Sequence, residues 1–273
     1  MPLYQAIVLA IVQGLTEFLP VSSTGHLILF PWLLGWKDPG LTFDVALHAG
    51  TLLAVVLYFW RMWVEMLLAA AGIGDSKDPE FHHKRRLFGL LVAGTIPGAF
   101  AGYAFEKAAE SGLRTPVVIA AALIVVALAM WAGEVATRDN KRLMQINLPD
   151  AVLVGIAQAF AVIPGVSRSG STMTAGLFRN MKRETAARFS FLLSAPIIAG
   201  AVLLKAMQVH HEGGLPPDMR MPFLAGILVS AAVGVVVIGW LIRYLERRTF
   251  KVFVIYRLVL GVVVLGLALG LHR

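Results

Sequence analysis

Gln13-Gly14-Leu15-Thr16-Glu17-Phe18-Leu19-Pro20-Val21-Ser22-Ser23-Thr24-Gly25-His26 is the stretch that decides how this chain reads. It sets a carboxylate, an imidazole, four hydroxyls and a proline in a region otherwise apolar enough to lie in a membrane. An ionisable side chain at membrane depth costs several kcal/mol, so it is a functional candidate by default. A similar stretch follows: Gln158-Ala-Phe-Ala-Val-Ile-Pro-Gly-Val-Ser-Arg-Ser-Gly-Ser-Thr172, with Gln158 and Gly170 each 145 residues beyond Gln13 and Gly25. The two stretches are expected to face each other and to build one site.

The composition puts both stretches in a membrane protein. Hydrophobic residues make up 58% of the 273 and charged residues 15%, against about 25% charged in a soluble domain. A net charge of +8 could suggest nucleic acid. The cations, however, fall between apolar runs, where they set topology, and no nucleic-acid partner is expected. With no cysteine, disulfide and thiol chemistry are excluded. No basic n-region precedes the first apolar run, so no signal peptide is expected.

Residues 3–19 carry a helical apolar pattern that places Gln13 and Glu17 on one face. Pro20 ends that helix, and Ser22, Ser23 and Thr24 are N-cap types for a second helix running to about Leu34. Each piece is shorter than the roughly 20 residues of a span, which predicts a re-entrant hairpin. Six longer segments, about 43–62, 87–106, 115–135, 187–207, 222–243 and 252–271, are the expected spans. A second broken segment, 148–181, is interrupted at Pro164-Gly165. The fold class is therefore an all-α polytopic membrane protein, a single membrane domain over 1–273. Its halves, 1–137 and 148–273, each read as a hairpin followed by three spans. Three spans invert the second half, giving an inverted-topology repeat whose broken helices meet near the midplane.

The cations orient this plan. One side receives sixteen, from Arg61 and the Lys77–Arg86 run through Arg138–Arg142 and Arg179–Arg188 to Arg243–Lys251. The other receives six: Lys37, Lys107, Arg114, Lys205, Arg220 and Arg273. The richer side is cytoplasmic, so the first hairpin opens outward. The Lys77–Arg86 run reads as a solvated loop, Arg257 as a snorkelling interface residue, and Trp60, Trp63, Trp131 and Trp240 as an interfacial belt.

Two residue sets carry chemistry. In the second stretch, the guanidinium fork of Arg168 suits phosphate oxygens. Ser167, Ser169, Gly170 and Thr172, at a helix start, complete an anion site. In the first stretch Glu17 can orient His26, and His26 lies at i, i+3 from Ser23 and i, i+4 from Ser22, an arrangement for activating a hydroxyl. Ser22 and Thr24 add hydrogen bonds to substrate, and Gln13 supports Glu17. Asp44 and His48, at i, i+4, either support the site or pair with each other near the interface. One histidine and one carboxylate fall short of the three protein ligands of catalytic zinc.

These motifs resemble those of the bacterial undecaprenyl pyrophosphate phosphatase family, the membrane phosphatases of bacitracin resistance. Its first motif, Glu or Gln, three residues, Glu, then Pro-Val-Ser-Ser-Thr-Gly-His, stands here at Gln13, Glu17 and Pro20–His26, and Gln13 takes the uncharged option. Its second, Pro-Gly-x-Ser-Arg-Ser-Gly-x-Thr, stands at Pro164–Thr172. The resemblance implies hydrolysis of undecaprenyl pyrophosphate to the monophosphate carrier used in cell-wall synthesis. It also implies a bacterial plasma-membrane location, a site reached from the outer face, a homodimer and a divalent cation, Mg²⁺ or Ca²⁺, with Glu17 as candidate ligand. In this reading Arg168 clamps the transferred phosphoryl group, and Ser23, His26 or an activated water attacks it. The competing readings are an inverted-repeat transporter of a phosphorylated anion or lipid phosphate, which needs no hydroxyl–imidazole–carboxylate set, and a membrane scaffold, which needs no Arg168.

The charge asymmetry makes a topological prediction. Single cysteines introduced near Lys77 and Arg247 should resist a membrane-impermeant thiol reagent in intact cells, whereas those near Lys37 and Arg220 should be labelled. The reverse pattern would invert the chain in the membrane.

Overall fold

The computed structural model describes residues 1–111 and 113–270. The side chains of 106–111 lie outside the described residues, as do the expected cations Lys107 and Arg273 and the expected end of the last span at 271. The described residues form eleven α-helices and no strand: α1 (Leu3–Thr16), α2 (Ser23–Leu34), α3 (Leu41–Tyr58), α4 (Trp60–Ala70), α5 (Pro79–Ser111), α6 (Pro116–Ala136), α7 (Leu148–Ala159), α8 (Arg168–Phe178), α9 (Arg183–His211), α10 (Pro217–Leu245) and α11 (Lys251–Gly270). Six of them, α3, α5, α6, α9, α10 and α11, are long and apolar enough to cross a membrane. The chain is thus a polytopic all-α membrane protein.

Of the five shorter helices, α1, α2, α7 and α8 form the two broken pairs and have 14, 12, 12 and 11 residues. The prolines set their breaks. α1 ends at Thr16 rather than at 19, with the Glu17 N–H still bonded to the Gln13 carbonyl, and the chain turns through Pro20. A 3-10 turn at Phe160–Val162 precedes Pro164-Gly165 in the second pair. Both second helices start from a serine in left-handed backbone, Ser22 at φ 77° and Ser167 at φ 72°. Each serine hydroxyl accepts from the N–H of the glycine three residues on, Gly25 at 3.2 Å and Gly170 at 3.0 Å. That is N-capping at a backbone angle costly for a non-glycine residue.

Two expectations need correction. The span expected at 43–62 lies at Leu41–Tyr58 and ends four residues early: Phe59 leaves helical geometry, and α4 runs on with Met66 and Ala69 buried. Nor is Lys77–Arg86 all loop, because α5 begins at Pro79. The Asp78 carboxylate accepts from the Glu80 N–H at 2.9 Å, and proline favours the first helical position. Lys84 on the second turn of α5 bridges Glu65 of α4 and Glu80, both at 3.1 Å.

Small residues let the spans approach closely, as is general for helices packed in membranes. α3 lies so near α10 that a Cβ on Gly50 would stand 2.3 Å from the Ile227 carbonyl and 2.0 Å from Ser230 Oγ. Ser230 Oγ in turn donates to the Leu47 carbonyl at 3.0 Å. α1 packs on the same span, with Gly14 against Val233 and the Ser230 carbonyl. In the second half Gly155 of α7 meets the Gly94 backbone of α5. The first helix of each short pair therefore rests on a span from the other half of the chain. Phe18, just after α1, meets Phe191 of α9 edge-on with ring centroids 5.2 Å apart.

Gly50→Ala should therefore lower stability by about 1–3 kcal/mol, the usual cost of overpacking. Gly89→Ala, where an added Cβ meets nothing within 4 Å, should be neutral or stabilising by roughly 0.5–1 kcal/mol through helix propensity. Thermal unfolding in detergent distinguishes them, and equal midpoints for the two variants would refute the close approach of α3 to α10.

Candidate active site

Glu17 stands where the two short helix pairs meet, with 4% of its surface exposed. Its Oε1 accepts from Arg168 Nη2 at 2.5 Å. Its Oε2 faces three more groups: Gln13 Nε2 at 3.0 Å, Ser23 Oγ at 2.5 Å and His48 Nε2 at 3.3 Å. Four donors thus converge on one carboxylate, three on Oε2 and one on Oε1. Burying one charge is unfavourable; burying it against an opposite charge with its lone pairs filled is tolerated. Arg168 opens α8, so its ion pair with Glu17 spans 151 residues of sequence.

A second tie joins the same turns, because Ser169 Oγ donates to the Leu19 carbonyl at 3.0 Å. Ser167 and Ser169 hydroxyls lie 3.2 Å apart. A side chain at Gly170 would be tight: a Cβ would sit 3.1 Å from Ser167 Oγ and 3.2 Å from Arg257 Nη1. Thr172 Oγ1 points to α9, where it meets Ser190 Oγ at 2.6 Å. Thr24 is half-buried. Arg168 Nη1 is buried and has no hydrogen-bond partner, an uncommitted cationic donor beside the serines.

The histidines do not sit as the spacing predicts. Ser23 does not pair with His26: its hydroxyl turns to Glu17, across the turn that separates α1 from α2. His26 Nδ1 stands 2.7 Å from the Ser22 carbonyl, which can only accept, so Nδ1 is a donor. Its Nε2 meets the Tyr256 hydroxyl of α11 at 2.6 Å, and the two rings stack at 5.8 Å and 11°. The imidazole beside Glu17 belongs instead to His48. Since His48 Nδ1 donates to the Asp44 carbonyl at 2.7 Å, a hydrogen bond from its Nε2 to Glu17 requires both ring protons. The Asp44 carboxylate looks the other way, to Arg114 at 3.2 Å, a cation it shares with Asp38. Of the two alternatives for this pair, His48 reaches Glu17 and Asp44 does so only through its backbone.

Arg257 departs furthest from expectation. It does not snorkel: it is fully buried, and its guanidinium donates to carbonyls of both turns and of α6. Tyr256 and Arg257 are the residues that sequence reasoning missed. An arginine inside an apolar run is itself a functional signal, but its nearness to the start of α11 made an interfacial role equally natural.

The donor set bears on a divalent cation. Among the described residues no group of three or more His, Asp or Glu side chains could hold a metal ion, and of the Glu17 oxygens Oε2 faces three donors and Oε1 one. The buried oxygens left without partners are Gln13 Oε1 and Asp44 Oδ1 on the first half and Gln158 Oε1 on the second.

Glu17→Ala should strand the buried Arg168 charge and destabilise the fold by about 3–5 kcal/mol, the usual cost of removing one partner of a buried pair. The double variant Glu17→Ala/Arg168→Met should recover part of that loss. A double-mutant cycle of detergent-state melting reads the coupling directly, and strictly additive losses would show that the pair contributes nothing.

The family model "Bacitracin resistance protein BacA" matches residues 6–263. An undecaprenyl-diphosphatase of Moorella thermoacetica is 50% identical over 267 residues, covering 97% of this chain and 98% of that one. Proteins of the same name from Pelotomaculum thermopropionicum and Gemmatimonas aurantiaca are 47% and 48% identical. Each comparison covers 97% or more of both chains. Matched over residues 6–263 and about half identical to such relatives along nearly its whole length, the chain belongs to the bacitracin resistance protein BacA family.

Proposed function

We propose that this protein is an undecaprenyl-diphosphatase that removes the terminal phosphate of the lipid diphosphate and leaves the lipid monophosphate. The observation that carries the reading is the Ser23–Glu17–Arg168 constellation: a hydroxyl hydrogen-bonded to a carboxylate, beside a guanidinium with one nitrogen uncommitted. A carrier of anions would need the guanidinium but not the hydroxyl–carboxylate pair.

In the proposed reaction Arg168 Nη1 and the hydroxyls of Ser167 and Ser22 hold the terminal phosphoryl group. Charge spreads over its oxygens in the transition state, and positioned donors there lower the barrier most. Ser23 Oγ attacks the terminal phosphorus while Glu17 takes the hydroxyl proton. The bond from that phosphorus to the bridging oxygen breaks, and the lipid monophosphate leaves. Water then hydrolyses the phosphoserine: His26 Nε2, released from the Tyr256 hydroxyl, takes the water proton, and Glu17 returns its proton to the Ser23 oxygen. His48 and Gln13 steady Glu17 throughout. Thr24, Ser169, Gly170 and Thr172 shape the turn around the headgroup, and Asp44 supports His48.

A divalent cation, Mg²⁺ or Ca²⁺, is proposed to arrive on the diphosphate, since Mg²⁺ commonly binds through substrate phosphates and few carboxylates. It would neutralise phosphate charge near Glu17 and the uncommitted Gln13 and Asp44 oxygens. The architecture is proposed to be an inverted repeat of 1–137 and 148–273. The 145-residue spacing, the matched left-handed serine caps and the reciprocal packing of α1 on α10 and α7 on α5 support it. The cation asymmetry supports a bacterial plasma-membrane protein whose site opens to the outer face. A homodimer rests on the family resemblance alone.

Purified protein should release inorganic phosphate from undecaprenyl diphosphate and lose that activity with chelator. Arg168→Lys keeps the charge but not the planar fork and should run about 10²–10³ slower, as for loss of one oxyanion donor. Ser23→Ala should be as damaging as Glu17→Ala, since residues acting as one unit fail together. Substantial activity in Ser23→Ala alone would move the attack to water. Parent-rate release by every variant would leave the transporter reading.

A further inference from the structure

Arg257 is a fully buried cation that the proposed reaction leaves unused. Its hydrogen bonds divide by origin. Nη1 donates to the Pro20 carbonyl of the first turn at 3.1 Å. Nη2 donates to the Gly165 and Val166 carbonyls of the second turn at 2.9 and 3.1 Å, and to Ala122 of α6 at 3.3 Å. Nε donates to Leu123 of α6 at 3.2 Å. None of the ion pairs among the described residues involves it. Every nitrogen of the guanidinium is therefore spent on backbone: Nη1 and Nη2 on the two turns, and Nε and Nη2 on α6.

Those turns are irregular. Pro20 and Val166 stand just before the left-handed serines 22 and 167, so their carbonyls fall where no helix can satisfy them, and a buried unpaired carbonyl is unfavourable. One planar fork satisfies three such carbonyls from both turns at once, and lysine cannot reproduce that geometry. The same span carries Tyr256 onto His26. Two adjacent residues of α11 thus touch the first turn, the second turn and the imidazole.

We propose that Arg257 is a positioning residue for the reaction. It holds the Pro20 and Gly165-Val166 turns in register, so that Arg168 on one faces Ser23 and Glu17 on the other. This rests on the reading of those residues as the active site. Glu17–Arg168 pulls the turns together through side chains that must also serve substrate, whereas Arg257 fixes them through backbone and is free of that duty.

The test uses Arg257→Lys in the full chain, with Arg257→Met beside it, and exploits the absence of cysteine. Spin labels on cysteines introduced at Leu19 and Ile163, both half-buried residues of the two turns, report the inter-turn distance. Phosphate release from undecaprenyl diphosphate reports kcat and KM. In Arg257→Lys the distance distribution should broaden or shift, and kcat should fall about 10²-fold with KM changed less than threefold. Guanidinium ion at millimolar concentration should restore part of the rate to Arg257→Met and none to Arg257→Lys, whose ammonium fills the space. A narrow, unchanged distance distribution in both variants would overturn the proposal, whatever the activity. So would a kcat within threefold of the parent. If the parent itself releases no phosphate, the functional reading fails, while the distance measurement still decides whether Arg257 sets the register of the turns.

Discussion

One buried carboxylate sets the terms for the rest of the molecule. Glu17 lies at the end of a helix too short to cross a membrane, and nothing in its own helix except Gln13 can stabilise its charge. Its counter-ion, Arg168, comes from the second broken helix pair, half a chain away. The two pairs must therefore meet, and the spans must leave room for them to do so. The glycines at 14, 50, 94 and 155, the proline breaks and the left-handed serines all follow from that need. A buried ion pair is weak evidence of stability, because desolvation offsets much of its attraction. Its retention is a mark of function rather than of stability.

What the sequence made legible was local. Gln13 and Glu17 share a helical face and are hydrogen-bonded. The breaks at Pro20 and Pro164-Gly165 and the serine caps are where turn chemistry put them, because those signals act within a few residues. Glu17 and Arg168 could be paired from sequence only through the repeated spacing of the two motifs. Partners set by tertiary approach were not legible. Ser23 and His26 share a helix at the right spacing, yet the hydroxyl finds the carboxylate across the turn and the imidazole finds Tyr256. His48 was visible as a polar residue in a span, but its partner on α1 was not. Arg257 shows the limit most clearly: burial, not spacing, tells a buried clamp from an interfacial cation. The helix break at Phe59 was hidden because apolar content runs unbroken through it.

The site also separates the work of its two cations. Arg168 keeps one nitrogen on Glu17 and one without a partner, so it can take up an incoming anion without first surrendering its structural bond. Arg257 has no nitrogen to spare. Preorganisation of this kind lowers the reorganisation needed when charge develops on a substrate, and it costs the chain a second buried cation without a carboxylate partner.

Ser230 has a mechanical consequence. Its hydroxyl donates to the backbone of α3, its carbonyl lies where a side chain on Gly14 of α1 would strike, and Gly50 nests against it from the other side. Three helices thus share one axle with clearance for hydrogen atoms only. A rocking bundle that opened alternately to the two sides of a membrane would have to shear this axle on every cycle, breaking a buried hydrogen bond and reseating two glycines each time. Gearing of that tightness suits a fixed anvil on which bonds are broken better than a swinging gate through which cargo passes.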